Sequence, residues 1–211
     1  MKAVMISIQP KWCELIASGK KTVEVRKTRP KLETPFKVYI YCTNTKPYLV
    51  WGDVFGGNWE TEFTHLSGYN RKDAEKIWDV FNGKVIGEFV CDKIYDITPH
   101  FDTPTFPNQY ICGWEYGKEV DCLSFEELTS YLNGKQGFGW HISDLVIYDE
   151  PRGLGEFKAF CKSYYDGDKC DDCKYFIDDR GYEFDESDCG CNGAKPIERP
   201  PQSWCYVERS E

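Results

Sequence analysis

The chain has 211 residues, 41% of them apolar and 16% aromatic, enough for one good-sized core with room for an appendage. Its 26 Lys and Arg stand against 35 Asp and Glu, and the net charge of −9 disfavours long duplex nucleic acid, whose binding needs many phosphates neutralised. No apolar run reaches the roughly 18 residues of a membrane span, and "AVMISI" after Met1 and Lys2 lacks the form of a signal peptide, so a cytoplasmic protein without membrane contact is expected.

The first elements are short. "AVMISI" (3–8) predicts a buried strand, and "QPKWCELIASG" predicts a helix with Pro10 at its first position, an apolar stripe of Trp12, Leu15 and Ile16, and Gly19 as its stop. "KKTVEVRK" then alternates, placing Val23 and Val25 on one face of an extended segment and Thr22, Glu24 and Arg26 on the other. Residues 1–50 hold ten Lys and Arg against three Glu, and most of that positive charge lies between Lys20 and Lys31.

"FKVYIYCT" (36–43) is the clearest strand, and "WGDVFGGNWETEFTHLSGYN" predicts a long irregular loop. "RKDAEKIWDVFNGK" predicts a helix from Arg71 to about Asn82 with a buried stripe of Ala74, Ile77, Trp78 and Phe81. "KVIGEFVCDKIYDI" (84–97) predicts one long strand, in which Gly87 marks a bulge or a close backbone approach. Ser124 and Glu127 have capping-box spacing ahead of Leu128, Tyr131 and Leu132, and "GFGWHISDLVIYDEP" closes the region as another long strand. Short strands mixed with short helices, without regular crossovers, indicate an α+β fold.

Six cysteines (Cys13, Cys42, Cys91, Cys112, Cys122 and Cys161) stand singly, most among apolar residues, as small hydrophobes do. From about residue 160 the chain turns acidic, turn-rich and poor in Leu, Ile and Val, so it needs a staple. Cys170-x2-Cys173, Cys189-x-Cys191 and Cys205 supply five thiols for a four-coordinate structural zinc site, with Cys205 competing for the fourth position. Unpaired thiols or a redox pair are the alternatives. "RPPQSWCYV" reads as an extended strand that docks Trp204 and carries Cys205 to the ion.

The opening strand and helix, the motif G-x-K-x-x-E-x-R at Gly19, Lys21, Glu24 and Arg26, and the run "VIGEF" followed by "SFEELTSYLNGKQGFGWHISDLVIYD" resemble the ASCH domain of the PUA-like superfamily. The resemblance spans about residues 1–158 and leaves 159–211 as a cysteine-rich, zinc-stapled extension docked on the domain. It implies a small β-barrel with short flanking helices, a cleft beside the motif, and a role in binding RNA or in chemistry on modified nucleosides. One branch of the family resembles an amidohydrolase of N4-acetylcytidine that uses a lysine, a threonine and a glutamate. Lys21 matches that lysine, and Glu24 stands at the threonine position. The family likeness also places Trp140 and His141 near the cleft.

Chemically, three readings of Lys21, Glu24 and Arg26 stand open. As a binding site for single-stranded or structured RNA, or for a nucleotide or nucleoside, Arg26 forks onto a phosphate or base edge, Lys20 and Lys21 supply charge, and Glu24 orients them or accepts from an amino group. As an amidohydrolase site, Lys21 is nucleophile or base and Glu24 moves protons. As a structural ion pair, they do neither. Trp51, Trp59, Tyr69, Trp114 and Trp140 offer stacking surfaces, and the glycines flanking Phe138 permit close approach of a ligand. An interaction module with an acidic tail is a further reading.

Overall fold

The computed structural model describes residues 3–51, 63–66, 68–100, 109–112, 122–159 and 195–209. The chain runs β1 (Ala3–Ile8), α1 (Pro10–Ala17), β2 (Val23–Arg26), β3 (Phe36–Cys42), β4 (Tyr48–Trp51), β5 (Phe63–Leu66), α2 (Arg71–Glu75), β6 (Val85–Cys91), β7 (Ile94–His100) and β8 (Gln109–Cys112). It continues through α3 (Phe125–Leu132), β9 (Gly137–His141), β10 (Ser143–Arg152), a 3-10 turn at Leu154–Glu156, β11 (Phe157–Ala159), β12 (Lys195–Pro196) and β13 (Trp204–Arg209). The content is mixed α+β and mostly sheet.

A seven-stranded sheet has the order β10-β6-β3-β1-β13-β11-β12, a four-stranded sheet the order β2-β9-β7-β8, and β4 and β5 form a hairpin ladder. β1 and β3 are parallel, and the other ladders are antiparallel. The expected β-barrel is not seen as a closed one among the described residues. The two large sheets are instead joined where the chain changes sheet, at Asp92–Lys93 between β6 and β7 and at Ile142 between β9 and β10. Each of the two expected long strands is therefore two strands with a corner between them.

β1 is buried on both faces, as its unbroken apolar run requires. Val4, Ile6 and Ile8 join the main core with Cys13 and Ile16 of α1, Phe36, Val38 and Ile40 of β3, and Trp140. Ala3 and Met5 point the other way, into a second cluster with Tyr39, Phe157 and Val207. Leu128 and Leu132 of α3 pack on Val25 and Ile97 of the smaller sheet. This close packing needs glycine at 137, where a Cβ would stand 2.5 Å from a Leu132 methyl. Ser124 and Glu127 form the capping box that starts α3.

Gly87 combines both expected features. A Cβ there would lie 2.4 Å from the Val146 carbonyl oxygen, and the β3–β6 register shifts just beyond its partner Ile40. The helix expected to run to Asn82 stops at Glu75 instead, and Ile77 is exposed. Asn82 is committed elsewhere: it donates to the Thr45 and Pro47 carbonyls at 2.6 and 2.9 Å and accepts from Leu49 N–H at 2.7 Å. That bracing holds β4 and draws Val80 into a bridge with Val50. Part of the expected irregular loop is thus the β4–β5 hairpin, and 52–62 lies outside the described residues.

Residues beyond 158 enter the same sheet. β13 sits between β1 and β11, with Met5 opposite Cys205 and Ile6 opposite Trp204. Among the described residues no helix is long and apolar enough to cross a membrane.

Candidate functional site

Local chain geometry brings the motif together. Gly19, at φ +70°, ends α1, and the Lys21 N–H donates to the Leu15 carbonyl at 2.8 Å, folding the chain back against the helix. The Lys21 ammonium thereby lies 5.3 Å from the centre of the Trp12 ring. β2 follows, paired to β9 with Glu24 opposite Trp140 and Arg26 opposite Phe138. Two-residue alternation puts Glu24 and Arg26 on one face.

Glu24 is the hub. One carboxylate oxygen accepts from an Arg26 Nη at 2.9 Å, and the other lies 3.4 Å from Lys21 Nζ. Arg26 also donates to the Ser7 carbonyl at 2.8 Å and to the Ser203 carbonyl at 3.4 Å, while its buried Nε has no hydrogen-bond partner among the described residues. Lys21, Glu24 and Arg26 are only 2%, 7% and 5% exposed. Two cations thus share one carboxylate away from solvent, where an imbalance is costlier than at the surface.

The three side chains line a cleft of about 910 Å³. β1 contributes Ser7, α1 contributes Trp12, α3 contributes Ser130 and Tyr131, and Gln202 and Ser203 enter from far along the chain. Lys27 lies on one part of the wall, and Glu126 and Glu127 of α3 on another. Burial pushes the Tyr131 hydroxyl up, while Arg26 pulls it the other way. Below the cleft, burial and the adjacent Cys42 push the Cys13 thiol well up, leaving it a protonated packing group.

Other expected ligand contacts lie elsewhere. Lys20 is exposed and its carbonyl accepts from the Cys122 thiol, but it does not line the cleft. Trp140 is fully buried in the core, edge-on to Phe36 and tilted against Trp204, so no ligand can stack on it without core rearrangement. The reason is position: β9 is an inner strand between β2 and β7, and that face is covered. His141 bonds Asp92 at 2.6 Å and meets Tyr95 edge-on, away from the cleft lining. Tyr69 packs on Trp78, and the side chains of Trp51, Trp59 and Trp114 lie outside the described residues.

Sequence reasoning missed Ser7, Trp12, Tyr131 and Ser203 as cleft residues. Trp12 and Tyr131 carry a signal, as aromatics on helices flanking the motif. Ser203 carries none, because it acts through its backbone carbonyl from 177 residues beyond Arg26.

Of the expected zinc ligands, Cys170, Cys173, Cys189 and Cys191 lie outside the described residues. Cys205 sits in β13 against the second apolar cluster, where burial pushes its thiol up to about 12. Among the described residues no group of three or more His, Cys, Asp or Glu is placed to hold a metal ion.

No curated protein matches the chain. Among solved structures it is similar to a crystal structure of ASCH from Zymomonas mobilis, at 22% identity over 72% of this chain and 73% of that one, with a TM-score of 0.41. A tyrosine-to-phenylalanine mutant of the same Zymomonas mobilis protein gives 22% identity, 73% and 77% coverage and a TM-score of 0.40. The ASCH domain model matches residues 6–133, more than half of the chain, and takes in the end of β1, all of α1 and the whole Gly19–Arg26 motif. This chain belongs to the ASCH domain family, one often linked to RNA binding.

Proposed function

We propose that the cleft binds one nucleotide of a single-stranded or structured RNA through Lys21, Glu24 and Arg26. The observation that carries this reading is the buried trio itself: two cations on one carboxylate, lining a cleft large enough for a nucleotide. On this reading Lys21 and Arg26 meet a phosphate or a base acceptor, and Glu24 accepts from an exocyclic amine. Trp12 and Tyr131 supply aromatic faces at the cleft wall. The test is anisotropy of labelled single-stranded RNA with native protein and Arg26→Lys, which keeps charge but loses the fork. A loss of roughly tenfold or more is expected, with the thermal melt as the folding control. Equal affinities in two folded proteins would refute the reading.

Burial of Lys21 beside a carboxylate favours a second reading, hydrolysis of an acylated nucleoside with water as co-reactant. Turnover of an acylated nucleoside panel that Lys21→Ala abolishes would establish it, and a panel without turnover removes it. The zinc staple, drawn from Cys170, Cys173, Cys189, Cys191 and Cys205, rests on cysteine spacing. Its test is elemental analysis of the purified full chain, and a content under about half an equivalent would sink it.

A further inference from the structure

A second concavity, about 730 Å³, opens beside the cleft and is lined by Arg29, Lys31, Glu33, Thr34, Lys93 and their apolar neighbours. Among the described residues its charged lining is three cations and one carboxylate. Arg29 lies two residues beyond Lys27, which lines the cleft, so an extended chain of about 7 Å connects the two sites.

The cations are exposed, yet the backbone that carries them is anchored. Trp204 donates its indole N–H to Thr28 Oγ1 at 2.9 Å, and the Lys31 N–H donates to the Tyr206 hydroxyl at 3.0 Å. Across the groove the Lys93 carbonyl accepts the His141 N–H at 2.9 Å. Aromatic rings hold the charged heads: Lys27 over Tyr131 at 5.1 Å, Arg29 over Phe138 at 5.6 Å and Lys93 over Tyr95 at 5.1 Å. Phe138, where the flanking glycines permit close approach of a ligand, thus supports an arginine.

We propose that this groove is a phosphate-backbone subsite, and that the RNA strand whose nucleotide fills the cleft leaves it over Lys27 and runs between Arg29, Lys31 and Lys93. The proposal rests on the cleft reading above. It makes the partner a strand of several nucleotides, drawn out of the cleft by the positive charge of Lys27 to Lys31. Three exposed cations held in place on one path are the footprint of backbone tracking, which reads charge and not sequence.

The experiment is a salt titration of binding to fluorescein-labelled mixed-sequence single-stranded RNA of about 12 nucleotides. Native protein, the double variant Arg29→Ala/Lys93→Ala and the charge-keeping Arg29→Lys/Lys93→Arg are compared. Losing two phosphate contacts lowers the slope of log K against log salt by about 1.4, and the charge-keeping variant restores it. Native slope and affinity in the alanine variant overturn the groove proposal, as does a charge-keeping variant that fails to rescue. Sensitivity to Arg26→Lys with indifference to Arg29→Ala/Lys93→Ala refutes the groove alone. Absence of RNA binding by native protein removes the cleft reading and the groove together.

Discussion

Residues 21–26 and 27–31 are neighbours in sequence and both rich in cations, but they hold charge in opposite surroundings. In the first, Lys21 and Arg26 are buried against Glu24 and tied to backbone carbonyls of Ser7 and Ser203. In the second, Lys27, Arg29 and Lys31 stand in solvent on a braced loop. Buried charge costs folding energy unless it is matched, so it fixes geometry and resists screening. Exposed charge costs almost nothing, so it tunes affinity and is screened by salt. One segment thus supplies a site of defined shape and a surface of general attraction.

The sharpest way to break this contrast is Glu24→Ala, which takes the shared carboxylate from two buried cations. A loss of about 3–5 kcal/mol is expected, read as a lower urea midpoint at unchanged m. A loss within the range of a surface pair would mean that the trio is hydrated and the contrast false.

An intermediate case sharpens the scale. Lys37 and Glu88 pair at 2.5 Å with side chains 36% and 19% exposed, and Tyr148 donates to the same carboxylate. Burial alone would raise the Glu88 carboxyl, but the Lys37 and Tyr148 hydrogen bonds hold it below its usual value. Its folded pKa is therefore lower than its unfolded one. The stability it contributes is present above the ordinary carboxylate range near pH 4.3 and is lost as pH falls through the depressed value. Glu88→Gln is expected to cost about 1 kcal/mol at neutral pH and to flatten the acid limb of urea melts. An acid limb with native slope in that variant would place the titration elsewhere.

The smallest effects belong to the basic run. Arg29→Ala and Lys93→Ala are each expected to change stability by no more than about 0.5 kcal/mol, checked by the same melts. A larger loss would show that the cations resting on Phe138 and Tyr95 are structural props.

Features with a local cause were legible in the sequence. Pro10 and Gly19 bound α1, Ser124 and Glu127 cap α3, and period-two alternation puts Glu24 and Arg26 on one face. Gly87 signalled a close approach because a missing side chain in a strand needs a reason. What failed depended on partners distant in sequence. Trp140 looked available between a glycine and a histidine, yet strand order buries it. The helix from Arg71 kept its apolar period on paper, but Asn82 is bound to the 45–49 segment and the helix ends early. A barrel was expected from likeness, and the corners at Asp92–Lys93 and Ile142 lead into two open sheets.

The position of β13 bears on how the protein is made. Residues 204–209 fill the slot beside β1, so Met5 waits for Cys205 across almost the whole of synthesis. On the ribosome, β1 emerges with an apolar edge bare, open to pairing with other nascent chains. Arg26 likewise lacks its Ser203 acceptor until that late segment arrives. The cleft therefore matures last, and a chain halted ahead of residue 203 carries the motif without the finished site.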